Sequence, residues 1–436
     1  MKNGTVKIGL AGFGTIGTGL VKTIYEKKKL LKERTGLNIE IARIVDLDLK
    51  KDRGIKVPSG ILTNDISTIL EDDSIDIFVE LIGGIHPAKD FIIKAIKKGK
   101  SIVTANKALI AGYGSELFDL AVKKGVHIGF EASVGGGIPI ISAISNSLVA
   151  NRFLSISAII NGTSNYILSK MTHEGGEFEE VLLEAKKNGY AEADPSLDVD
   201  GIDAAHKLTI LLVLAYNGNV SVKDIYVEGI RHITQTDIKF ADELGYVIKP
   251  LAIAKVEGND VSARVHPAMV QKGTIISMIN DVYNGIHVVG DNIGSQLFVG
   301  RGAGMMPTAS AVVSDIMEIS KKLKYENANA SKINIFRDNK RLNIIDIGSI
   351  KTRYYLRFTV VDKPGVLASI ARVLGTHNIS IESVIQKGRS VEKFVPIVIM
   401  THEAVEANLT KALGIIDRLR VVKEKTQFIR IEDEVI

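Results

Sequence analysis

The chain has 436 residues, 45% of them hydrophobic and 24% charged, with 40 glycines and 9 prolines; at roughly 150 residues per domain this is an ordinary globular protein of two or three domains, not a disordered or collagen-like one. Lys and Arg number 55 against 50 Asp and Glu, a net +5, too small and too scattered to expect nucleic acid or an anionic membrane as partner. Cysteine is absent, so disulfides, thiolate-bound zinc and a cysteine nucleophile are excluded.

The N-terminal sequence runs straight into a short apolar strand without the regions of a signal peptide, and no apolar run approaches the ~20 residues that span a bilayer; a cytoplasmic enzyme is the expectation. Val6 to Ala11 reads as a buried strand, Thr15 to Lys29 as a helix and Ile39 to Asp46 as the next strand, a βαβ unit. Strands at Ile75 to Glu80 and Ser101 to Thr104, with a helix near Lys89 to Lys98, continue a doubly wound parallel sheet. From Glu131 to Gly302 the pattern changes to an α+β insert with a helix at Gly201 to Tyr216 and a strand at Leu251 to Val256. Pro307 to Leu323 reads as a helix that returns to close the first domain. After a polar connection, Tyr354 to Ile431 follows the order βαββαβ, a ferredoxin-like plan. The expected boundaries are 1–130 closed by 305–324, then 131–304, a linker 325–352, and 353–436.

Gly12-Phe13-Gly14-Thr15-Ile16-Gly17 lies between the first strand and helix. The first glycine permits the turn, the second lets backbone approach a pyrophosphate, the third packs helix on strand, and the helix N-terminus offers N–H groups to phosphates: a dinucleotide site. Asp46 ends the second strand, where a carboxylate binds a ribose 2'-hydroxyl, although it lies beyond the usual spacing of about 20 residues. Arg43, Lys50, Lys51 and Arg53 are near enough in sequence to attract a 2'-phosphate instead, so NAD and NADP both stay open. Thr104 and Lys107 follow a later strand at the carboxyl end of the sheet, where ligands bind; a solvated loop lysine is the plainer alternative. Gly302 and Gly304 form another glycine turn before a helix, a second approach to the cofactor.

Glu131 precedes three consecutive glycines, Gly135 to Gly137, either a sharp bend or a turn whose oxygens hold a hard monovalent cation. The densest cluster runs from Gly189 to Lys207. Glu192, Asp194, Asp198, Asp200 and Asp203 fall there, with Asp203 and Lys207 at i and i+4 on one helix face. A surface ion pair with acids complementing the helix dipole would explain it. The apolar run Leu208 to Leu214 argues instead for a partly desolvated lysine suited to proton transfer. His206, His232, His266 and His287 lack the i, i+4 spacing of a helical zinc site.

Taken together, GFGTIG, TANKAL, EASVGGGIP, NGTSNYIL, GYAEADPSLDVDGIDAAHK and GRGAGMMPTASAV resemble the homoserine dehydrogenase family over essentially the whole length, and FTVVDKPGVLASIARVLGTHNISIES resembles ACT modules. The resemblance implies a Rossmann-like domain, an α+β catalytic and dimerisation domain and a C-terminal ACT domain. It also implies NAD(P)-dependent interconversion of L-homoserine and L-aspartate 4-semialdehyde within threonine, methionine and isoleucine biosynthesis. By the same resemblance Lys207 is the proton donor and acceptor, Lys107 stands near nicotinamide and substrate hydroxyl, Glu192 and Asp203 bind substrate with Asp198 in the same site, and Glu131, Val134, Gly136 and Ile138 hold sodium. The neighbouring chemistry of aspartate-semialdehyde dehydrogenase needs a thioester that a chain without cysteine cannot form. A homodimer or homotetramer is expected, with the edge of the ferredoxin-like sheet inviting a second copy. The turn Asp362 to Gly365 is the expected site of an amino-acid effector, threonine. The other class carried forward is a non-catalytic amino-acid sensor with a structural Rossmann part.

Overall fold

The computed structural model describes residues 5–325, 340–386 and 394–433; part of the expected linker, 326–339, lies outside them. The chain forms two compact units, Met1–Phe153 with His206–Val222 and Gly290–Leu342, and Leu154–Ala205 with Lys223–Val289 and Asn343–Ile436.

The first unit opens with β1 (Thr5–Ala11), α1 (Thr15–Glu26), α2 (Lys28–Thr35), β2 (Asn38–Val45), β3 (Leu62–Thr63), α3 (Ser67–Leu70), β4 (Ile77–Glu80), α4 (Ala88–Lys97), β5 (Ser101–Thr104), α5 (Lys107–Lys124), β6 (Ile128–Gly129) and the short α6 (Ile140–Ser142). All pairings are parallel, in the order β3-β2-β1-β4-β5-β6, the doubly wound arrangement whose ligand crevice lies where the order reverses, beyond β1 and β4. The strands are apolar on both faces, as burial between helix layers requires: Val6, Ile8 and Leu10 face one core cluster while Phe78 and Ile102 face another. The helix expected over Thr15 to Lys29 is two helices, broken at Lys27. The second is almost wholly polar and ends at Gly36 in the left-handed region, φ 69°.

The second unit continues with β7 (Phe153–Ile159), α7 (Gly162–His173), α8 (Phe178–Lys187), α9 (Ser196–Val199), α10 (Ile202–Tyr216), β8 (Tyr226–Val227), α11 (Gln235–Glu243), β9 (Tyr246–Glu257), β10 (Asp260–Gln271) and β11 (Tyr283–Gly290). From His206 onward α10 belongs to the first unit, as do β12 (Gly294–Arg301) and α12 (Met305–Tyr325). Val312 and Ile316 of α12 enter the same cluster as Leu20 and Ile24 of α1. Gly19 on α1 allows this approach, because a Cβ there would stand 2.7 Å from Met305 Cγ.

The last segment is β13 (Lys351–Val361), α13 (Val366–Thr376), β14 (Ile381–Gln386), β15 (Phe394–Thr401), β16 (Ala404–Val405), α14 (Glu406–Ile416) and β17 (Gln427–Ile431). Its four long strands lie in the order β17-β13-β15-β14, and alternation along them feeds two cores. Tyr354, Leu356 and Phe358 face α13 and α14, while Tyr355, Val398 and Met400 face the cluster built on α7, α8 and α11. One edge of this sheet is taken up within the chain, and β14 forms the other edge. β17 pairs in parallel with β10 of the same chain, Ala268 opposite Arg430 and Met269 opposite Ile431, so one sheet runs β11-β7-β9-β10-β17-β13-β15-β14. The described end of the expected linker is also engaged: Asn219 donates to Lys340 O at 2.9 Å in the first unit, and Val261 bridges Ile344 in the second.

Candidate functional site

In the first unit the three glycines of the loop differ in what they permit. Gly12 has φ 98°, and a Cβ on it would lie 2.5 Å from the Leu81 backbone; one on Gly17 would strike Gly12 O; one on Gly14 would meet nothing within 4 Å. Gly12 and Gly17 therefore serve the turn and the helix–strand contact, and Gly14 keeps open the space a pyrophosphate needs. Thr15 and Ile16 form the first turn of α1, where backbone N–H groups have no partner within the helix. Asp46 follows β2 and turns back to the loop: its Oδ2 accepts from Phe13 N–H at 2.6 Å and its Oδ1 pairs with Arg53 Nη2 at 3.0 Å. Arg53 lies over the Phe13 ring, 4.7 Å from its centroid, and donates to Phe13 O. Of the four basic residues considered, Arg53 is the one joined to the loop, whereas Arg43 is turned to Ala42 O.

Beyond β4 and β5 a second network orders the crevice. The buried Glu80 accepts from Ile82 N–H and Gly83 N–H at 2.8 and 2.9 Å and from the Thr104 hydroxyl at 2.6 Å. Thr104 in turn accepts from Asn106 N–H at 3.0 Å, so its hydroxyl is committed within the protein. Asn106 caps α5 through Leu109 N–H and donates to Gly84 O, which sets Lys107, half-buried, as the first residue of that helix. Glu80 and Asn106 had no role in the sequence reading; an acid at a strand's carboxyl end and an Asn before a helix were the available signals.

The 131–138 loop is tight, with Gly135 and Gly136 at φ 70° and 58° and the would-be Cβ of Gly136 against Gly302 O. Gly302 is thus bound into this loop, and Gly304, φ 119°, leads into α12 beside α1. The Glu131 carboxylate is buried and accepts from Ile141 and Ser142 N–H, each at 2.8 Å; burial pushes it up from its ordinary value against those two donors. Among the described residues no group of three or more His, Asp or Glu could hold a metal ion, so a cation at this loop would rest mainly on main-chain oxygens.

In the second unit Asn161 gathers two of the predicted acids. Its Nδ2 donates to Asp198 Oδ1 at 2.8 Å and to Asp203 Oδ2 at 2.9 Å, while its Oδ1 caps α7 through Ser164 N–H at 2.8 Å. The Ser164 hydroxyl holds Asp198 O at 2.9 Å. Glu192 is exposed, on a loop tied to α7 where Thr163 donates to Tyr190 O at 2.7 Å. Asp203 is 5% and Lys207, one turn later on α10, 9% exposed. Both groups are therefore buried, not on the surface as the plainer sequence reading had them. Asn161 and Ser164 were missed as site residues because Asn-Gly-Thr-Ser reads only as a helix start.

The family model described as the NAD binding domain of homoserine dehydrogenase matches residues 12–131, that of homoserine dehydrogenase residues 139–317, and that of the ACT domain residues 354–420. A homoserine dehydrogenase of Synechocystis sp. is 44% identical, covering 98% of this chain and 99% of its own; one of Neisseria gonorrhoeae is 42% identical over 98% of both. Among solved structures, a homoserine dehydrogenase from Thiobacillus denitrificans is 40% identical with a TM-score of 0.93 over 98% of both chains. A hyperthermophilic archaeal homoserine dehydrogenase in complex with NADPH is 28% identical, TM-score 0.61, and is covered in full by 74% of this chain.

Proposed function

Because the chain belongs to the homoserine dehydrogenase family, we propose that its NAD(P)-dependent oxidoreductase activity is carried by Lys207, Lys107, Asp203, Asp198 and Glu192. The observation that bears most on this is the pair of carboxylates gathered by Asn161, half-buried Asp198 of α9 and buried Asp203 in the first turn of α10, with a buried lysine one turn after Asp203. A bound nicotinamide supplies the hydride that reduces the aldehyde carbon of L-aspartate 4-semialdehyde and takes it back from L-homoserine. Lys207 gives a proton to the aldehyde oxygen as negative charge grows there and recovers it in the reverse direction; Lys107 donates a hydrogen bond to the same oxygen. Asp203, Asp198 and Glu192 hold the substrate ammonium. The filled set of ionisable groups is what makes a non-catalytic sensor the weaker reading.

The cofactor residues in this proposal are Gly12 to Gly17, Asp46, Thr104, Lys107, Gly302 and Gly304, with Arg53 beside Asp46 allowing either a ribose hydroxyl or a 2'-phosphate. A sodium ion fits the 131–138 loop by donor chemistry, since Glu131 and the main-chain oxygens of Val134, Gly136 and Ile138 are hard ligands in a turn with no room for a side chain at Gly136. Its role is to hold that turn. We assign 1–130 with 305–324 to the cofactor domain, 131–304 to the substrate domain, 325–352 to the linker and 353–436 to an ACT domain that senses threonine, in a homodimer or homotetramer serving threonine, methionine and isoleucine biosynthesis.

Absorbance of the reduced nicotinamide, followed with homoserine and each cofactor in turn, tests the activity and ranks NAD against NADP. Lys207→Ala should lose turnover by about 100-fold to 10,000-fold, the range for a lost general acid or base, with cofactor affinity retained. Near wild-type turnover in folded Lys207→Ala would remove Lys207 from the chemistry.

A further inference from the structure

Arg430 on β17 is 1% exposed, and every prong of its guanidinium is used. Nε and Nη2 reach the two carboxylate oxygens of Glu406, the first residue of α14, at 2.7 and 2.5 Å. Nη1 reaches Glu228 Oε2 at 2.7 Å, across 202 residues of sequence. The Tyr226 hydroxyl also donates to Glu228, at 2.8 Å, and His232 Nε2 stands 3.2 Å from its other oxygen. Burial opposes ionisation of Glu228, but His232 and Arg430 outweigh it and hold the carboxyl well below the usual carboxylate range. The acid is therefore a half-buried anion, its side chain 19% exposed, whose charge is balanced in part by the last strand of the chain.

Glu228 opens a segment pressed onto the acid loop. A Cβ on Gly229 would lie 2.5 Å from Val199 O and 2.7 Å from Asp200 Cα. Ile230 N–H donates to Val199 O at 2.8 Å, and Arg231 Nε pairs with Asp200 at 2.5 Å. Val199 and Asp200 lie between the two carboxylates that Asn161 holds. A cavity of about 10 Å³, room for a single water, is lined by Asn161 and Asp198 of the site and by Glu228 and His266.

We propose that Arg430 is a positioning residue for homoserine turnover: by holding Glu228 it fixes Glu228–Arg231, and through that segment the placement of Asp198 and Asp203 around the substrate ammonium. This rests on the reading of those two acids as substrate ligands. Lysine cannot replace the fork, because one ammonium serves one carboxylate well and Arg430 serves two. Loss of the pair leaves the half-buried Glu228 with only Tyr226 and His232 as partners, which is relieved by displacing the segment toward water.

The test uses the full chain and four substitutions, Arg430→Lys, Glu228→Gln, Asp203→Asn and the control Arg357→Lys. Arg357 forms an equally enclosed pair with Asp237 between β13 and α11, at 2.6 Å, without touching the acid loop. The expected result is a homoserine KM raised by about tenfold or more in Arg430→Lys and in Glu228→Gln, cofactor KM unchanged in both, and a double variant no worse than the worse single one. Arg357→Lys should lower the melting temperature and leave homoserine KM unchanged. A wild-type homoserine KM in folded Arg430→Lys and Glu228→Gln, or a rise matched by Arg357→Lys, overturns the proposal; if Arg430→Lys does not fold, Glu228→Gln decides. Asp203→Asn separates the two failures: no effect on homoserine KM overturns the acid reading and this proposal together, whereas a large effect with Arg430→Lys silent overturns this proposal alone.

Discussion

Asn161 donates from Nδ2 to the Asp203 carboxylate at 2.9 Å, and the same nitrogen reaches Asp198 at 2.8 Å. One neutral donor thus sits between two acids that otherwise repel, while its oxygen caps α7. These roles can be separated. Asn161→Asp keeps a capping acceptor but sets a third carboxylate against the other two, so the cap survives while like-charge repulsion lowers thermal stability and homoserine KM rises by about tenfold or more. Asn161→Ala loses both, with roughly 1 kcal/mol of stability from the cap. Steady-state kinetics and thermal melts on the two variants check this, and an unchanged KM in Asn161→Asp would take Asn161 out of the site.

Gly14 and Gly12 should fail in different ways. At Gly14, φ is −76° and a side chain would stand in open space, so Gly14→Val should fold, with a melting temperature near wild type, and lose cofactor binding because the branched side chain fills the pyrophosphate space. At Gly12, positive φ and the Leu81 backbone 2.5 Å from any Cβ should make even Gly12→Ala destabilising. Cofactor titration by fluorescence beside thermal melts distinguishes the two. Retained affinity in Gly14→Val would place the phosphates elsewhere.

Removal of the C-terminal module, which sequence alone presents as a separable regulator, should abolish folding rather than sensitivity to an effector. Truncation before Arg353 strips Tyr355, Val398, Met400, Ile429 and Ile431 from the cluster on α7, α8 and α11. At about 1.5–3 kcal/mol for each large apolar side chain, that loss matches the whole stability of a typical domain, about 5–15 kcal/mol. It also leaves Asp237 without Arg357 and Glu228 without Arg430. Circular dichroism of the truncated chain is the check, and a cooperative native-like melt would show that the two layers are independent. Threonine sensitivity is better sought by calorimetry on the full chain.

What was legible in the sequence was local. The βαβ order, the glycine loop and Asp46 could be read because strand burial, turn glycines and a strand-end acid each act within a few tens of residues, and the structure joins Asp46 to Phe13 across 33 positions. Lys27 was misread because its φ of −102° breaks a run whose composition suits one helix. The pairing of β17 with β10 rests on two residues of register, and the Glu228–Arg430 contact joins groups 202 positions apart; no periodicity carries either. Asn161 was invisible for another reason: a helix-capping asparagine and one that also separates two acids have the same sequence signature.

Lys249 provides a test at alkaline pH. It is 1% exposed on β9, and its ammonium donates to Ile279 O and Asn280 Oδ1, each at 2.7 Å. It thereby shares with Asn165 of α7 the task of holding the turn before β11, since Asn165 donates to Asp281 O and Tyr283 O. Burial lowers its pKa from 10.5 to about 8, against the attraction of Asp281. Below about pH 8 both folded and unfolded chains carry the proton. Between there and 10.5 the unfolded chain binds more protons than the folded one, so this group makes stability rise with pH across that window, by up to roughly 1 kcal/mol per pH unit. Lys249→Met lacks the titration. Urea unfolding of both proteins at a series of pH values from neutral to 10.5 should therefore show the difference between them moving in favour of the wild type as pH increases. A difference that stays level through the window would mean that Lys249 remains protonated in the fold.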